Sequence, residues 1–296
     1  MTEPAQLICV GNLTIDEAVS PAGQRVESIG GDALFAALAA RVAGGNPTIL
    51  APLGTDAPPA LLGAIWSAGT DPDSLPRRDL PLVHNVVRYD DTDGRVWELV
   101  LGEEHFEALS VHPSDVTADV LEASGVLLSA MALHAQLDLA AWLRKRTAAT
   151  IYFDPQEDYI SGHEAALMDA VRACDVFLPS EVEAAALAGS SDLDAAAATF
   201  LGLGPRVVVI KRATSGCLVV TREHPEPVHM PADVIESVDS TGAGDAFCGA
   251  FAAEHLLSGD VHAAALAGAA AARIAVSGPG VTALLAAVTA TSGGDR

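Results

Sequence analysis

DSTGAGDAF, residues 239–247, leaves an irregular polar segment and runs into an alanine-rich helical stretch. The first four N–H groups of a helix have no partner inside it, and the aligned peptide dipoles leave that end partly positive. An anion can bind there. Gly242 and Gly244 lack a β-carbon, so a phosphate can approach the backbone closely and the turn can take positive φ. Asp245 is the puzzle in that setting. A carboxylate beside a phosphate repels it, unless the acid accepts a proton from a hydroxyl that attacks the phosphate. Taken alone, the same residues also fit a simple cap, since acids favour the first turn of a helix. The rest of the chain decides between the two.

The chain has 296 residues, half of them hydrophobic, with 4% aromatic residues and 26 glycines. That composition predicts small-residue helices packed on a sheet, with no sign of disorder, and the length allows about two domains of usual size or one α/β domain. The net charge of -23 opposes nucleic acid or an anionic membrane as partner. Cys9, Cys174, Cys217 and Cys248 are far apart with no C-x-x-C pair, which points to buried thiols in a reducing, cytoplasmic setting. MTEPAQ has no basic region before an apolar run, and the apolar run 263–272 is too short to span a bilayer.

The runs QLICVG, TILAP, GVLLSA, ATIYFD, DVFLP and RVVVIK are short, apolar and β-rich, and helical patterns at 32–43, 136–146 and 163–174 separate them. This alternation predicts an α/β fold: a mostly parallel sheet covered by helices on both faces. Two stretches break the rhythm. EAVSPAGQRVESI and VVRYDDTDGRVWELV each suggest two extended segments around a Pro-Gly or Asp-Gly turn. They predict a small β lid, formed by about 17–29 and 82–102, of the kind that keeps water from a reactive phosphate; surface hairpins with no part in the site fit the pattern equally well.

Several phosphate and cofactor motifs are missing. The only lysines, Lys145 and Lys211, do not follow glycine, so there is no G-x-x-x-x-G-K-[ST] loop. GNLTID fails the G-x-G-x-x-G pattern and no G-x-S-x-G elbow occurs. What the chain does carry is an ordered set: GNLTID at 11–16, GGDALFAALAARVAG at 30–44, PLGTDAPPALLGAIWSAG at 52–69, PSEVEAAALAG at 179–189, VVVIKRATSGCLVV at 207–220 and DSTGAGDAFCGAF at 239–251. This series resembles the ribokinase-like (PfkB) carbohydrate kinase family from about residue 8 to 281. The resemblance implies a three-layer α/β/α fold in a single domain spanning 1–296 and an ATP- and Mg²⁺-dependent transfer of the γ-phosphoryl group to an alcohol.

Carried over by position, the resemblance makes Asp245 the catalytic base and Gly242, Ala243 and Gly244 the anion hole, in agreement with the local physics. It gives Asp16 the sugar hydroxyls, for which a carboxylate is a bidentate acceptor. Gly30 and Gly31 become the glycines that let the backbone reach the sugar. Glu183 becomes the acid that places Mg²⁺ through water, while Lys211, Ala213 and Gly216 line the nucleotide side. Asp239 lies, with Thr241, where some members hold a monovalent cation such as K⁺. Exposed lid edges suggest a homodimer through the lid.

Four positions depart from the family pattern. Ser180 replaces the asparagine of N-x-x-E, and Phe35 takes the place of an asparagine that contacts the sugar. Thr14 stands where the ribose-phosphorylating member has another asparagine, and Met131 where it has a glutamate. Lost hydrogen-bond partners weaken the binding of a bare sugar, whereas an aromatic ring and a thioether suit a flat or apolar substituent. The acceptor expected is thus a sugar-like molecule, a nucleoside or an apolar-substituted sugar, with Thr14, Asp16, Gly30, Gly31, Phe35 and Met131 around it. The competing structural reading turns Phe35 into the core and gives its contacts to Asp32, His84 or Asn85. A catalytically idle sensor or scaffold is the competing function, against which stand Asp245 and its two glycines.

Overall fold

The computed structural model describes residues 5–89 and 95–292. Eight strands build the main sheet: β1 (Gln6–Val10), β4 (Asn46–Leu50), β7 (Gly125–Leu128), β8 (Thr150–Phe153), β9 (Val176–Phe177), β10 (Val207–Lys211), β11 (Cys217–Thr221) and β12 (Val228–Met230). Their order is β12-β11-β10-β9-β8-β7-β1-β4. All neighbours from β4 to β10 are parallel, and the hairpin β10–β11–β12 adds an antiparallel edge. The six apolar runs singled out in the sequence supply the parallel strands.

Valine and isoleucine on successive positions of these strands point to opposite faces, and each face meets its own helices. On one side, Val207 and Val209 join Leu7, Cys9 and Tyr152 under α1 (Asp32–Val42), α2 (Pro59–Ser67), α9 (Ala243–Ser258), α10 (Val261–Ala275) and α11 (Thr282–Ser292). On the other, Val208 and Ile210 join Ile8, Val10 and Phe153 over α4 (Ala118–Glu122), α5 (Leu133–Arg144), α6 (Glu164–Ala173), α7 (Glu181–Ala188) and α8 (Leu193–Leu203). The remaining helix, α3 (Glu103–Ala108), sits in a smaller cluster where Phe106 meets Trp97 edge-on at 6.1 Å. No helix among the described residues is long and apolar enough to cross a membrane, and all four cysteines are buried and free.

The two excursions form one sheet. β2 (Thr14–Val19) and β3 (Arg25–Gly30) make one hairpin, and β5 (Val83–Tyr89) and β6 (Arg95–Leu99) make the other. Parallel pairing of β2 with β5 joins them in the order β3-β2-β5-β6 and sets Asp16 opposite Asn85. The first turn is closed by Gly23 at φ 78°, the conformation glycine tolerates best. The Asp-Gly turn at residues 93–94, the first four residues and the last four lie outside the described residues.

Local chemistry fixes the helix ends near the sheet's carboxyl edge. Ser180 and Glu183 form a capping box that starts α7, and Gly189 ends it in the left-handed conformation. Left-handed glycines, Gly242 and Gly259, bracket α9. Two small residues let α9 lie against α1: a β-carbon on Gly249 would overlap the backbone of Ala36, and one on Gly45 would meet Ala253 at 2.7 Å.

Gly249→Ala is therefore expected to lower the melting temperature by several degrees, because overpacking a tight contact costs about 1–3 kcal/mol. Gly63→Ala, in open space on exposed α2, is expected to raise it slightly, since alanine favours a helix by up to ~1 kcal/mol over glycine. Thermal melts of the two variants check the sign of each shift.

Candidate active site

In open parallel sheets the space beyond the strands' carboxyl ends, near the point where strand order reverses, is where ligands bind. Here the chain leaves β1 for β4 on one side and takes up β7 on the other. Over this point stand the N-terminus of α1, the N-terminus of α9 and the small sheet. Gly242 caps α9 at φ 73°, so Ala243, Gly244 and Asp245 are the first three residues of the helix. The expectation of a positive-φ turn holds for Gly242.

The glycines differ in what they accommodate. A β-carbon on Gly242 would run into the ring of Phe35, and one on Gly30 would overlap the Asp16 carboxylate. Gly31, at φ 107°, would clash with the backbone of Asn12 and Leu13. Packing inside the protein thus demands glycine at these three positions. Gly244 is exposed, and the nearest atom to a β-carbon there is Lys211 Nζ at 3.6 Å. This is the one glycine of the turn where a β-carbon would meet no overlap, only an ordinary contact with the ammonium.

Asp245, half-buried at the third helical position, has its pKa pushed up to about 7 by burial and then by the charge of Asp154, against the opposing pull of Lys211. Asp32, at the start of α1, is raised well above its ordinary value by burial and by Asp245. Glu183 is raised to about 7 by burial and by Asp154, again against Lys211. Its carboxylate accepts from Ser180 N at 2.6 Å, and Ser180 Oγ accepts from Glu183 N.

Asp154 and Cys248, which sequence reasoning did not single out, complete the group. Asp154 follows β8 and is buried; Lys211 Nζ donates to its Oδ1 at 2.6 Å. Cys248 Sγ donates to Oδ2 at 3.2 Å, and Lys211 Nζ lies 3.4 Å from that sulfur. Burial alone would lower the Lys211 pKa, but the Asp154 carboxylate prevails and raises it. The available signal was an acid at the carboxyl end of a parallel strand, in ATIYFD. Lys211 thus points into the site; Ala213 and Gly216 sit on the turn beyond it. Ala213 holds φ 45°, unusual without glycine, and Gly216 packs against the carbonyl of Met230.

On the small sheet, Asp16 accepts from Thr14 Oγ1 at 2.9 Å and from Asn85 Nδ2 at 2.8 Å. Burial raises its pKa and these two bonds oppose the rise. Asn85 Oδ1 is buried and has no partner among the described residues, a mark of a group that serves a ligand or water. His84 is engaged elsewhere, 3.1 Å from Asp56.

Phe35 and Met131 are both buried. The Phe35 ring lies beneath Gly242 and beside Gly30, where a β-carbon would also meet Asp16 and Thr14. Met131 has no exposed surface and packs with Leu128 and Phe153 on the opposite face of the sheet. The polar residue beside Asp16 is Asn85. Asp239 bridges two backbone segments, accepting from Thr241 N at 2.9 Å and Gly280 N at 3.0 Å.

Comparison with known proteins agrees with this architecture. The model of the pfkB family of carbohydrate kinases matches residues 6–287, and the chain belongs to that family. It is 31% identical over 249 residues to a cytidine kinase of Thermococcus kodakarensis, covering 83% of this chain and 87% of the relative. Among solved structures, adenosine kinase from Sinorhizobium meliloti superposes with a TM-score of 0.81 at 17% identity, covering 98% of this chain and all of that one. A chain from E. coli described as a putative ribokinase II, in complex with ATP and Mg²⁺, gives 0.78 at 20% identity, covering 97% and 99%. The protein is a PfkB-type kinase of ribokinase-like fold.

The raised acids carry a stability consequence. With its folded pKa near 7 and its unfolded value near 4, Asp245 holds a proton in the folded chain that the unfolded chain lacks in between. Folding is favoured as pH falls through that window, and the ionised form costs stability above it. Asp245→Asn keeps the neutral shape. Without nucleotide, the variant is expected to melt above the parent at about pH 8.5, with the gap closing toward pH 5.5; a gap that does not change with pH contradicts the assignment.

Proposed function

We propose that this protein transfers the γ-phosphoryl group of ATP to a hydroxyl of a nucleoside. The observation that carries the chemistry is the start of α9, where a raised-pKa carboxylate, Asp245, stands at an open glycine beside a lysine ammonium. Asp245 takes the proton of the attacking hydroxyl; an acid with a pKa near 7 is well matched to that task at neutral pH. The N–H groups of Ala243, Gly244 and Asp245 at the helix end receive the phosphoryl oxygens.

Asp16 and Asn85 hold the hydroxyl pair of the acceptor, with Thr14 fixing the carboxylate. Support for a nucleoside comes from the relationship to the cytidine kinase, which extends over most of both chains. Of the two apolar residues expected around the acceptor, Met131 sits in the core cluster on the other face of the sheet, while the Phe35 ring lies beside Gly30 and Gly242. Sheet β3-β2-β5-β6 is assigned the part of a lid, since Asp16 and Asn85 belong to it and Gly30 joins it to α1.

Among the described residues no cluster of His, Cys, Asp or Glu suffices to hold a metal ion. This fits Mg²⁺, which usually keeps several waters and rides on substrate phosphates with one or two carboxylates. Glu183 would hold it through water, and bound there it would neutralise charge on the β- and γ-phosphates. The monovalent cation is assigned to Asp239, whose carboxylate ties the start of the α9 turn to the segment at Gly280.

Asp245→Asn is expected to keep nucleotide binding and lose turnover by about a hundredfold to ten-thousandfold. A rate within a few-fold of the parent contradicts the base. In a panel of ribose, fructose and nucleosides, a nucleoside should show the highest kcat/KM; a bare sugar preferred tenfold or more over every nucleoside overturns the acceptor. A panel with no turnover at all, despite nucleotide binding, favours the idle sensor.

The outer strands of the small sheet leave Val26 and Val96 more than half exposed, and open strand edges pair readily. A homodimer through these sheets is expected, and light scattering that returns a monomer mass removes it.

A further inference from the structure

We propose that Lys211 is itself a catalytic residue: its ammonium contacts the phosphoryl group in flight, while Asp154 and Cys248 act as positioning residues that aim it at Gly244. This rests on the kinase reading above and adds a role to it.

The geometry carries the assignment. Lys211 ends β10, its backbone N–H donates to Pro179 O, and the residue pairs with Ser180 beside the capping box of α7. From that fixed base the side chain crosses the site to the start of α9. Two of the three ammonium donors are spoken for, by Asp154 Oδ1 at 2.6 Å and Cys248 Sγ at 3.4 Å. The third can serve an anion held at Gly244, whose open side ends 3.6 Å away at this nitrogen. The side chain is 13% exposed, so it reaches the open space yet stays shielded from bulk water. Shielding makes a charge contact stronger than it would be in solvent.

Charge makes the same point. Asp16, Asp32, Asp154, Glu183 and Asp245 converge on this region, and the whole chain carries -23. A triphosphate entering so acidic a site needs cations that belong to the protein as well as those it brings. Asp154 is spent on Lys211, but the charge that grows on the transferring group attracts an ammonium already in place, with no reorganisation at the moment of reaction.

In the step itself the acceptor O–H gives its proton to Asp245, the oxygen forms a bond to the γ-phosphorus, and the bond from that phosphorus to the β,γ-bridging oxygen breaks. ADP leaves with the bonding electron pair. Lys211 stays protonated throughout and loses no proton to any partner.

Lys211 also acts on the base. Asp245 faces Asp32 from α1, Asp154 beyond β8, Lys211 from β10 and Cys248 one turn along α9. Of these only Lys211 favours its ionised form. Removing the ammonium should therefore move the acid limb of the kcat profile to higher pH, and removing the Asp154 charge should move it to lower pH. These opposed shifts show that both charges act on Asp245, and the affinity comparison below separates a catalytic lysine from one that only neutralises Asp154.

The test uses Lys211→Met, Lys211→Arg, Asp154→Asn and the double variant Lys211→Met/Asp154→Asn, which leaves no buried charge unpaired if the single variants fail to fold. Wild-type turnover with the best acceptor of the panel comes first; if no acceptor turns over, the kinase reading fails and this proposal with it. Given turnover, the double variant is expected to lose about a hundredfold to a thousandfold in kcat, the usual loss for one transition-state donor. By calorimetry its affinity for ADP should stay within a few-fold, while its affinity for ADP with aluminium fluoride and nucleoside should fall at least tenfold. Lys211→Arg, which keeps the charge, should recover part of kcat and leave the acid limb near that of the parent.

Parental kcat in the double variant would show that Lys211 merely neutralises Asp154, and would overturn the proposal. Equal losses for ADP and for the aluminium fluoride complex would overturn it as well, by making Lys211 a nucleotide-binding residue only.

Discussion

The close contact between α1 and α9 governs the site. Gly249 lies on the backbone of Ala36, Gly45 on Ala253, and the Phe35 ring under Gly242. Because neither helix has side-chain bulk in the seam, their N-termini come to stand side by side over the carboxyl ends of the strands. Two partly positive helix ends thus face one space. Asp32 and Asp245, each in the first turn of its helix, are brought near enough that the charge of Asp245 raises the pKa of Asp32 on top of burial. A longer side chain at Gly249 would separate the helices and relax that repulsion, so packing in the core is connected directly to the acidity of Asp32.

That arrangement would be costly with acids alone, since a buried carboxylate without a partner neutralises or destabilises the fold. Lys211 changes the balance. It compensates Asp154 directly, and it lowers the pKa of Asp245 and Glu183 at longer range. With two lysines in the chain, placing one of them among five acids is a strong local choice. The pair is anchored by β10 on one side and β8 on the other, with Cys248 from α9 bridging both.

How much of this was legible in the sequence follows from how local each feature is. The DSTGAGDAF turn could be read because a left-handed glycine and a first-turn acid act within four residues. Each hairpin of the small sheet could be read from its own sequence pattern. Their union into one sheet could not, since it depends on β2 meeting β5 and on Asp16 finding Asn85 across 69 positions. The Asp154–Lys211 pair spans 57 positions and left only a faint trace, an acid at a strand end. The seat of Phe35 could not be read locally: its ring is buried with residues 33–40 of α1 and packs against Gly30 and against Gly242, which lies 207 positions further along the chain.

Asp239 ties these parts together. One of its oxygens holds Thr241 N at the start of the α9 turn, and the other holds Gly280 N. Gly280 in turn packs so near Ser28 that a β-carbon there would come within 2.9 Å. A single carboxylate therefore connects the turn before α9 with strand β3 of the small sheet, whose last residue, Gly30, leads into α1. The carboxylate of Asp16, to which the acceptor is assigned above, lies against that same glycine. The small sheet is thus tied to the rest of the chain along two short routes, through Gly30 into α1 and through Gly280 and Asp239 into α9. Both routes end at the paired helix N-termini, so the proposed closure over an acceptor would bear directly on the position of Asp245.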